Sequence, residues 1–285
     1  MMKCIASDMD GTLLSSTQKI STENKDAILK AQAMGIEVIV ATGRSYQEAI
    51  PAIKDAGLSC PVICVNGAEV RSAEGEIVAQ TPIPIQQAKE AARKLIEHEA
   101  YFEVYTDKGT FTNDAAKSVS IILDVIVSAN PDVNYDLAIK VAETRVTQGL
   151  ITEVDDYDKL FTGGEYQIYK LLAFSFDRDK LGAAKTALEQ IDGIVASSSG
   201  HENLEITSRD AQKGLALEAF VKEKGISLAD TMAIGDNFND VSMFKMAGRS
   251  VAMGNAPEAI KALCDVTTLT NEESGVAKAI WGVLE

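Results

Sequence analysis

The chain has 285 residues, 46% of them hydrophobic and 24% charged, a balance that builds globular cores rather than disordered segments and a length with room for two domains. The formal net charge of −15 speaks against a nucleic-acid backbone or an anionic membrane surface as the main partner, although an anionic small molecule can still bind where a metal and local cations reverse the sign. Cys4, Cys60, Cys64 and Cys264 lie mostly within apolar runs and lack the close pairs of a zinc site, so they read as core thiols in a reducing cytoplasm, and neither a signal peptide nor a membrane span is expected.

In chain order, the apolar run Cys4-Ile5-Ala6 is a strand that delivers Asp8-Met9-Asp10-Gly11-Thr12-Leu13-Leu14 at its end. Ser21 caps a helix that Gly35 closes. The β-branched run from Glu37 to Ala41 stops at Thr42-Gly43-Arg44, Ser45 caps a second helix closed by Gly57, and Pro61 to Val65 stops at Asn66-Gly67. After a linker at Pro82-Ile83-Pro84 the pattern changes. A helix runs from Ile85 to Glu99, Tyr101 to Tyr105 alternates like a strand exposed on one face, and Asn113 caps a helix reaching about Ser128 that Asn130-Pro131 stops. Residues 131 to 168 carry no assignable pattern. A strand from Tyr169 to Phe176, a helix opened by Asp177-Arg178-Asp179 that runs to about Gln190, and strands over Gly193 to Ser199 and Asn203 to Thr207 follow. The first pattern then returns. A helix from Leu215 to Lys224 precedes the strand Thr231 to Ile234, which stops at Gly235-Asp236; a helix spans Asn239 to Ala247, and Ser250 to Met253 stops at Gly254-Asn255.

Strands apolar almost throughout and alternating with helices predict a doubly wound parallel sheet, an α/β fold whose ligands bind beyond the carboxyl ends of the strands. The expected core is residues 1–82 and 209–285, interrupted by an α+β insert over residues 83–208.

In an extended chain Asp8 and Asp10 leave the same side, and Gly11 permits the reversal that presents both at a strand tip. Taken alone, this motif fits a solvated acidic turn as well as a site. Asp236 at a second strand tip, with Asn239 and Asp240 in the next turn, brings further carboxylates to the same edge, and such a set suits Mg2+, a hard ion with oxygen ligands. Lys213 opens a helix, where the macrodipole disfavours a cation; considered alone it reads as a solvated surface lysine, and an anionic partner explains its position better. Thr42 and Gly43 offer a hydroxyl and an amide for an anion, and Arg44 is equally suited to a phosphate or to solvent. Asp8, Asp10, Asp236 and Asp240 bring four negative charges against three positive ones from Lys213 and Mg2+, so without metal a phosphate dianion should be repelled.

These four segments, Asp8-Met9-Asp10-Gly11-Thr12, Thr42-Gly43-Arg44, Lys213-Gly214 and Gly235-Asp236-Asn237-Phe238-Asn239-Asp240, stand in the order of the four motifs of the haloacid dehalogenase superfamily, and the whole chain resembles its Cof-type sugar-phosphate phosphatases with a C2 cap between the second and third motifs. The resemblance implies Asp8 as nucleophile and Asp10 as the acid and then base. It implies Mg2+ held by Asp8, the Asp10 carbonyl and Asp236, phosphoryl oxygens held by Thr42, Lys213 and Asn239, Asp240 orienting Lys213 or a metal-bound water, and Asn66 touching substrate. A phosphomutase of the same superfamily and a receiver-like phospho-aspartate module are the competing readings. His98 reads as a solvated helix end and His201 as a turn, so histidine catalysis is not expected. The expected partner is a small phosphate ester, foremost a sugar phosphate, with flavin mononucleotide or pyridoxal phosphate as alternatives, and the insert is expected to gate the site. The sequence carries no signal for an oligomeric state.

Overall fold

The computed structural model describes residues 2–129, 135–198 and 202–284. The chain divides into two compact units, Met1–Thr81 with Asp210–Glu285, and Pro82–Arg209. Residues 2–81 supply β1 (Cys4–Asp8), α1 (Thr22–Ala33), β2 (Glu37–Ala41), α2 (Tyr46–Asp55), β3 (Val62–Cys64), β4 (Glu69–Arg71) and β5 (Ile77–Gln80). The smaller unit contains α3 (Ile85–Glu97), β6 (Tyr101–Thr106), β7 (Gly109–Thr112), α4 (Ala115–Ala129), α5 (Tyr135–Thr147), β8 (Ile151–Glu153), α6 (Asp158–Phe161), β9 (Ile168–Phe174), α7 (Arg178–Leu188), β10 (Ile194–Ser197) and β11 (Asn203–Ser208). The larger unit resumes with α8 (Lys213–Glu223), β12 (Thr231–Gly235), α9 (Val241–Met246), β13 (Arg249–Ala252), α10 (Glu258–Lys261), β14 (Val266–Thr267) and α11 (Gly275–Leu284).

In the larger unit the strand order is β14-β13-β12-β1-β2-β3-β4-β5, parallel from β14 to β3. Every residue of β1 and β12 is buried, as apolar strands covered on both faces must be. Cys4, Ala6, Ile39, Ala41 and Ala233 pack on one face with Leu217, Phe220 and Met243 of α8 and α9, while the alternate residues Ile5, Val38 and Val40 turn to the other. Ser21 accepts from the Asn24 amide and Ser45 forms a reciprocal cap with Glu48, so both helix starts lie where capping chemistry predicts. From β1 the order runs outward to β2 and β3 on one side and from β12 to β13 and β14 on the other, which makes the carboxyl end of β1 the switch point of the sheet.

Several expectations change. The sheet ends in an antiparallel hairpin, β4 and β5, that the apolar-run criterion passes over because Glu69 and Arg71 are polar; they pair with each other at 2.6 Å. The helix expected from Asn239 is a short 3-10 turn, Phe238–Asp240, capped by Asn237 and followed by α9.

The sheet of the smaller unit, β10-β11-β9-β6-β7-β8, is antiparallel except for the β7–β8 pair. Its β6 is buried on both faces rather than one. Glu103 is fully buried there, accepting from Ser118 at 2.7 Å and from Arg145 at 2.9 and 3.0 Å, so α4 and α5 cover the face that alternation assigns to solvent. The unassigned stretch holds α5, β8 and α6, and the Lys117 amide bonds Asp114 rather than Asn113 at the start of α4. The Asn130-Pro131 stop, Ser199 and His201 lie outside the described residues.

Candidate active site

Asp8 ends β1 in register with Ala41, so Thr42 stands one residue beyond it on the neighbouring strand tip, and the Thr42 carbonyl accepts from the Asn66 amide at 2.9 Å after β3. On the other side β12 ends at Gly235 and hands on to Asp236. Parallel pairing thus gathers four separated segments at one sheet edge.

Lys213, the first residue of α8, is fully buried, and its Nζ donates to Asp8 Oδ1 at 2.6 Å and Asp240 Oδ1 at 2.7 Å. Asp240 Oδ2 accepts from the amides of Asp236 (3.0 Å) and Asn237 (3.1 Å), so both oxygens of Asp240 are engaged and it fixes the lysine. Gly235 is required here because a Cβ would lie 2.4 Å from Asp240 Oδ2. Asp8, Asp236 and Asp240 bring carboxylate oxygens within 4.8 Å of one another. Asp236 Oδ1 also accepts from the Thr12 hydroxyl at 3.0 Å. Gly11 takes φ +75°, and a Cβ there would lie 2.5 Å from Asp236 Oδ2, so backbone comes against that carboxylate where no side chain fits.

Three acids around one ammonium leave an excess of negative charge. Burial, and then the nearby Asp240, push the Asp8 carboxyl well above the usual aspartate range against the pull of Lys213. Burial and Asp240 push Asp236 the same way. Burial would strip the proton from Lys213, but Asp240 and Asp8 outweigh it and hold its ammonium above the ordinary lysine range. With Asp240 bound to Lys213 and two amides, Asp8 and Asp236 are the carboxylates with an oxygen to offer, and a hard divalent cation fits this donor set and its charge.

Asp10 departs from the expected geometry. The extended strand stops at Asp8, and Met9–Leu13 wind into a wide turn in which Asp10 takes φ −79°, ψ 124° before the left-handed Gly11. Its half-exposed carboxylate therefore leaves the buried acid cluster and meets Arg44, whose Nε donates at 2.8 Å and whose Nη2 bonds Asp10 and Gln18. Arg44 thus faces neither open solvent nor an empty anion site. Asn66 sits in the left-handed region (φ 55°) and accepts from Asn239 Nδ2 at 3.2 Å, and its Oδ1 lies 3.2 Å from where a Cβ on Gly43 would stand. Thr42 is buried, its hydroxyl oxygen accepting from the Arg44 amide at 3.1 Å. Thr12 and Gln18 join the site without having been singled out; the hydroxyl beside Gly11 was the one available signal, while Gln18 belongs to a polar loop with none.

The sequence profile of the haloacid dehalogenase-like hydrolases matches residues 5–280. The chain belongs to that family. This haloacid dehalogenase-like hydrolase is 37% identical over 278 residues to phosphatase YwpJ of Bacillus subtilis (strain 168), covering 97% of this chain and 98% of that protein. It is 38% identical over 277 residues to 5-amino-6-(5-phospho-D-ribitylamino)uracil phosphatase YwtE of the same strain, covering 97% and 96%. A solved haloacid dehalogenase-like hydrolase from B. subtilis superposes with a TM-score of 0.86 at 37% identity, covering 98% of this chain and 99% of that one. Relatives matched over nearly their whole length and named phosphatases, within a family of hydrolases, make the chain a phosphoric monoester hydrolase. Among the described residues no helix is long and apolar enough to cross a membrane.

Proposed function

We propose that this hydrolase cleaves small phosphate monoesters, sugar and polyol phosphates foremost, through an aspartyl-phosphate intermediate on Asp8. The observation that carries the reading is the buried Lys213 bridge between Asp8 and Asp240 at the switch point of the sheet. A carboxylate so held presents its remaining oxygen along one direction, as an in-line attack on phosphorus needs. Lys213 then lowers the charge that builds as the bond to Asp8 forms, and Asp240 keeps the lysine from following the phosphoryl group. Thr42, the Gly43 amide and Asn239 are on this reading the donors to the phosphoryl oxygens, supported by the contacts that bring Thr42, Gly43 and Asn239 to Asn66. Asp10, outside the buried cluster and bonded to Arg44, lets go of that arginine and takes up a proton before the reaction, gives it to the departing alcohol oxygen, and as a carboxylate then takes one from the water that opens the intermediate. Asp8, the Asp10 carbonyl and Asp236 would hold Mg2+, which neutralises the pocket so that a phosphate dianion can enter.

The larger unit, which holds every one of these residues, is on this reading the catalytic part, and the smaller unit sets leaving-group preference. The relative named for a phosphoribitylamino substrate supports a phosphate on a polyhydroxylated chain as the substrate class. Four unpaired thiols support a reducing, cytoplasmic setting.

A panel of phosphate monoesters, assayed for inorganic phosphate with Mg2+ and with Asp8→Asn as the blank, tests this reading. Release that favours sugar and polyol phosphates and vanishes in Asp8→Asn is expected. Equal release by Asp8→Asn would overturn the role of Asp8, and preference for aromatic esters over polyol phosphates would overturn the substrate class.

A further inference from the structure

The strand tip Gly254-Asn255 takes no part in the reading above, yet it reaches the catalytic turn. Asn255 Nδ2 donates to the Gly11 carbonyl at 2.8 Å, and Asn255 Oδ1 accepts from the Asn271 amide at 3.0 Å. Asn271 Nδ2 in turn donates to the Leu14 carbonyl at 2.9 Å. Asn24 Nδ2 donates to the Leu13 carbonyl at 3.3 Å, with its own Oδ1 held by the Ala277 amide at 2.9 Å. Three asparagine side chains therefore cap three carbonyls of one turn. That turn is wide and kinked at Asp10 and Gly11, and the Leu14 amide bonds the Met9 carbonyl across it at 2.9 Å.

On its other side the same turn presses on Asp236, through the Thr12 hydroxyl at 3.0 Å and through Gly11, where no Cβ fits. The turn is thus held between the asparagines and a carboxylate of the acid cluster. A side-chain amide bonded at both ends cannot rotate without breaking one of its bonds, which makes Asn255 a stiff strut. Asn255 is itself exposed, so its bonds serve the turn rather than the packing of the core.

We propose that Asn255, backed by Asn271 and Asn24, is a positioning residue for the divalent-ion site, holding the Asp10–Thr12 backbone against Asp236 so that the ion's ligands keep their spacing. This rests on the reading that Asp8, the Asp10 carbonyl and Asp236 hold Mg2+. Partners of this kind, which bond the groups around a metal rather than the metal itself, typically change its affinity by about 10–100-fold when removed.

Calorimetric titration of MgCl2 into metal-free protein, with melting temperatures recorded alongside, separates the possibilities. Wild type, Asp236→Asn, Asn255→Ala, Asn271→Ala and the control Gln32→Ala, whose amide bonds the Ser59 carbonyl from α1, form the set. Wild type and Gln32→Ala should bind alike, Asp236→Asn should lose binding, and Asn255→Ala should need about ten-fold more Mg2+ for half-saturation. Asn271→Ala should shift in the same direction by less. A lowered metal-free melting temperature in Asn255→Ala with the wild-type Mg2+ midpoint would make the residue merely structural and overturn the proposal. No Mg2+ binding by wild type, or wild-type binding by Asp236→Asn, would overturn the metal reading and the proposal together. Should Asn255→Ala fail to fold, Asn271→Ala decides: a wild-type midpoint there overturns the proposal.

Discussion

Asp8 is at odds with its surroundings, since burial and then Asp240 oppose the charge that the proposed nucleophile needs. Its folded carboxyl titrates above its unfolded value, so the metal-free fold gains nothing from ionising it and loses stability as pH rises from the ordinary aspartate range through the raised one. Asp8→Asn in chelator-treated protein should therefore melt higher at neutral pH, by roughly 2–4 °C per 1 kcal/mol recovered, while losing turnover. A lower melting temperature in a metal-free thermal scan would contradict the crowded-acid account. Lys213 behaves oppositely, because it is the cation that both acids share. Lys213→Met should destabilise the protein by about 3–5 kcal/mol in denaturant titrations, the usual cost of breaking a buried pair. Asp8 was legible because it stands at the end of an apolar run, and Lys213 because it opens a helix, where the macrodipole disfavours a cation. Asp10 was legible as a participant but not in its direction, since two-residue alternation holds only while the strand continues and this strand stops at Asp8.

At the scale of elements, parallel strands and helix caps could be read from local pattern, because β-branched runs and Ser at a helix start act within a few residues. The hairpin β4–β5 and the two-sided burial of β6 could not. Their buried acids are matched by partners that sequence pattern does not pair: Glu69 by Arg71 in the same short strand, and Glu103 by Arg145 some forty residues on. Arg145→Ala should accordingly leave the Glu103 carboxylate buried with Ser118 as its side-chain partner and cost about 3–5 kcal/mol, read as loss of the smaller unit's cooperative unfolding. At the Met9–Leu13 turn, Gly11→Ala meets both a left-handed φ and the Asp236 carboxylate. A stability loss of about 1–2 kcal/mol together with weakened Mg2+-dependent stabilisation in a thermal scan is the expected result, and unchanged Mg2+ stabilisation would argue against contact between turn and ion site.

For the whole molecule, the spacing of the motifs along the chain matters less than the sheet that collects them. Asp8 ends its strand, and Thr42, Asn66 and Asp236 follow three others whose carboxyl ends lie on the same edge; the order β12-β1-β2-β3 sets them side by side. A protein of net charge −15 that concentrates acids at this edge has reason to use a cation there. The measurement closest to the central claim is chemical trapping of the intermediate. Asp10→Asn, which lacks the base for the second step, is mixed with an ester whose leaving group departs without a proton, quenched in acid, and digested for mass spectrometry. The account predicts one phosphoryl group, carried by Asp8 and absent when Asp8→Asn is added to the variant. A phosphoryl group on any other residue, or steady turnover by the variant with Asp8 never modified, would contradict it.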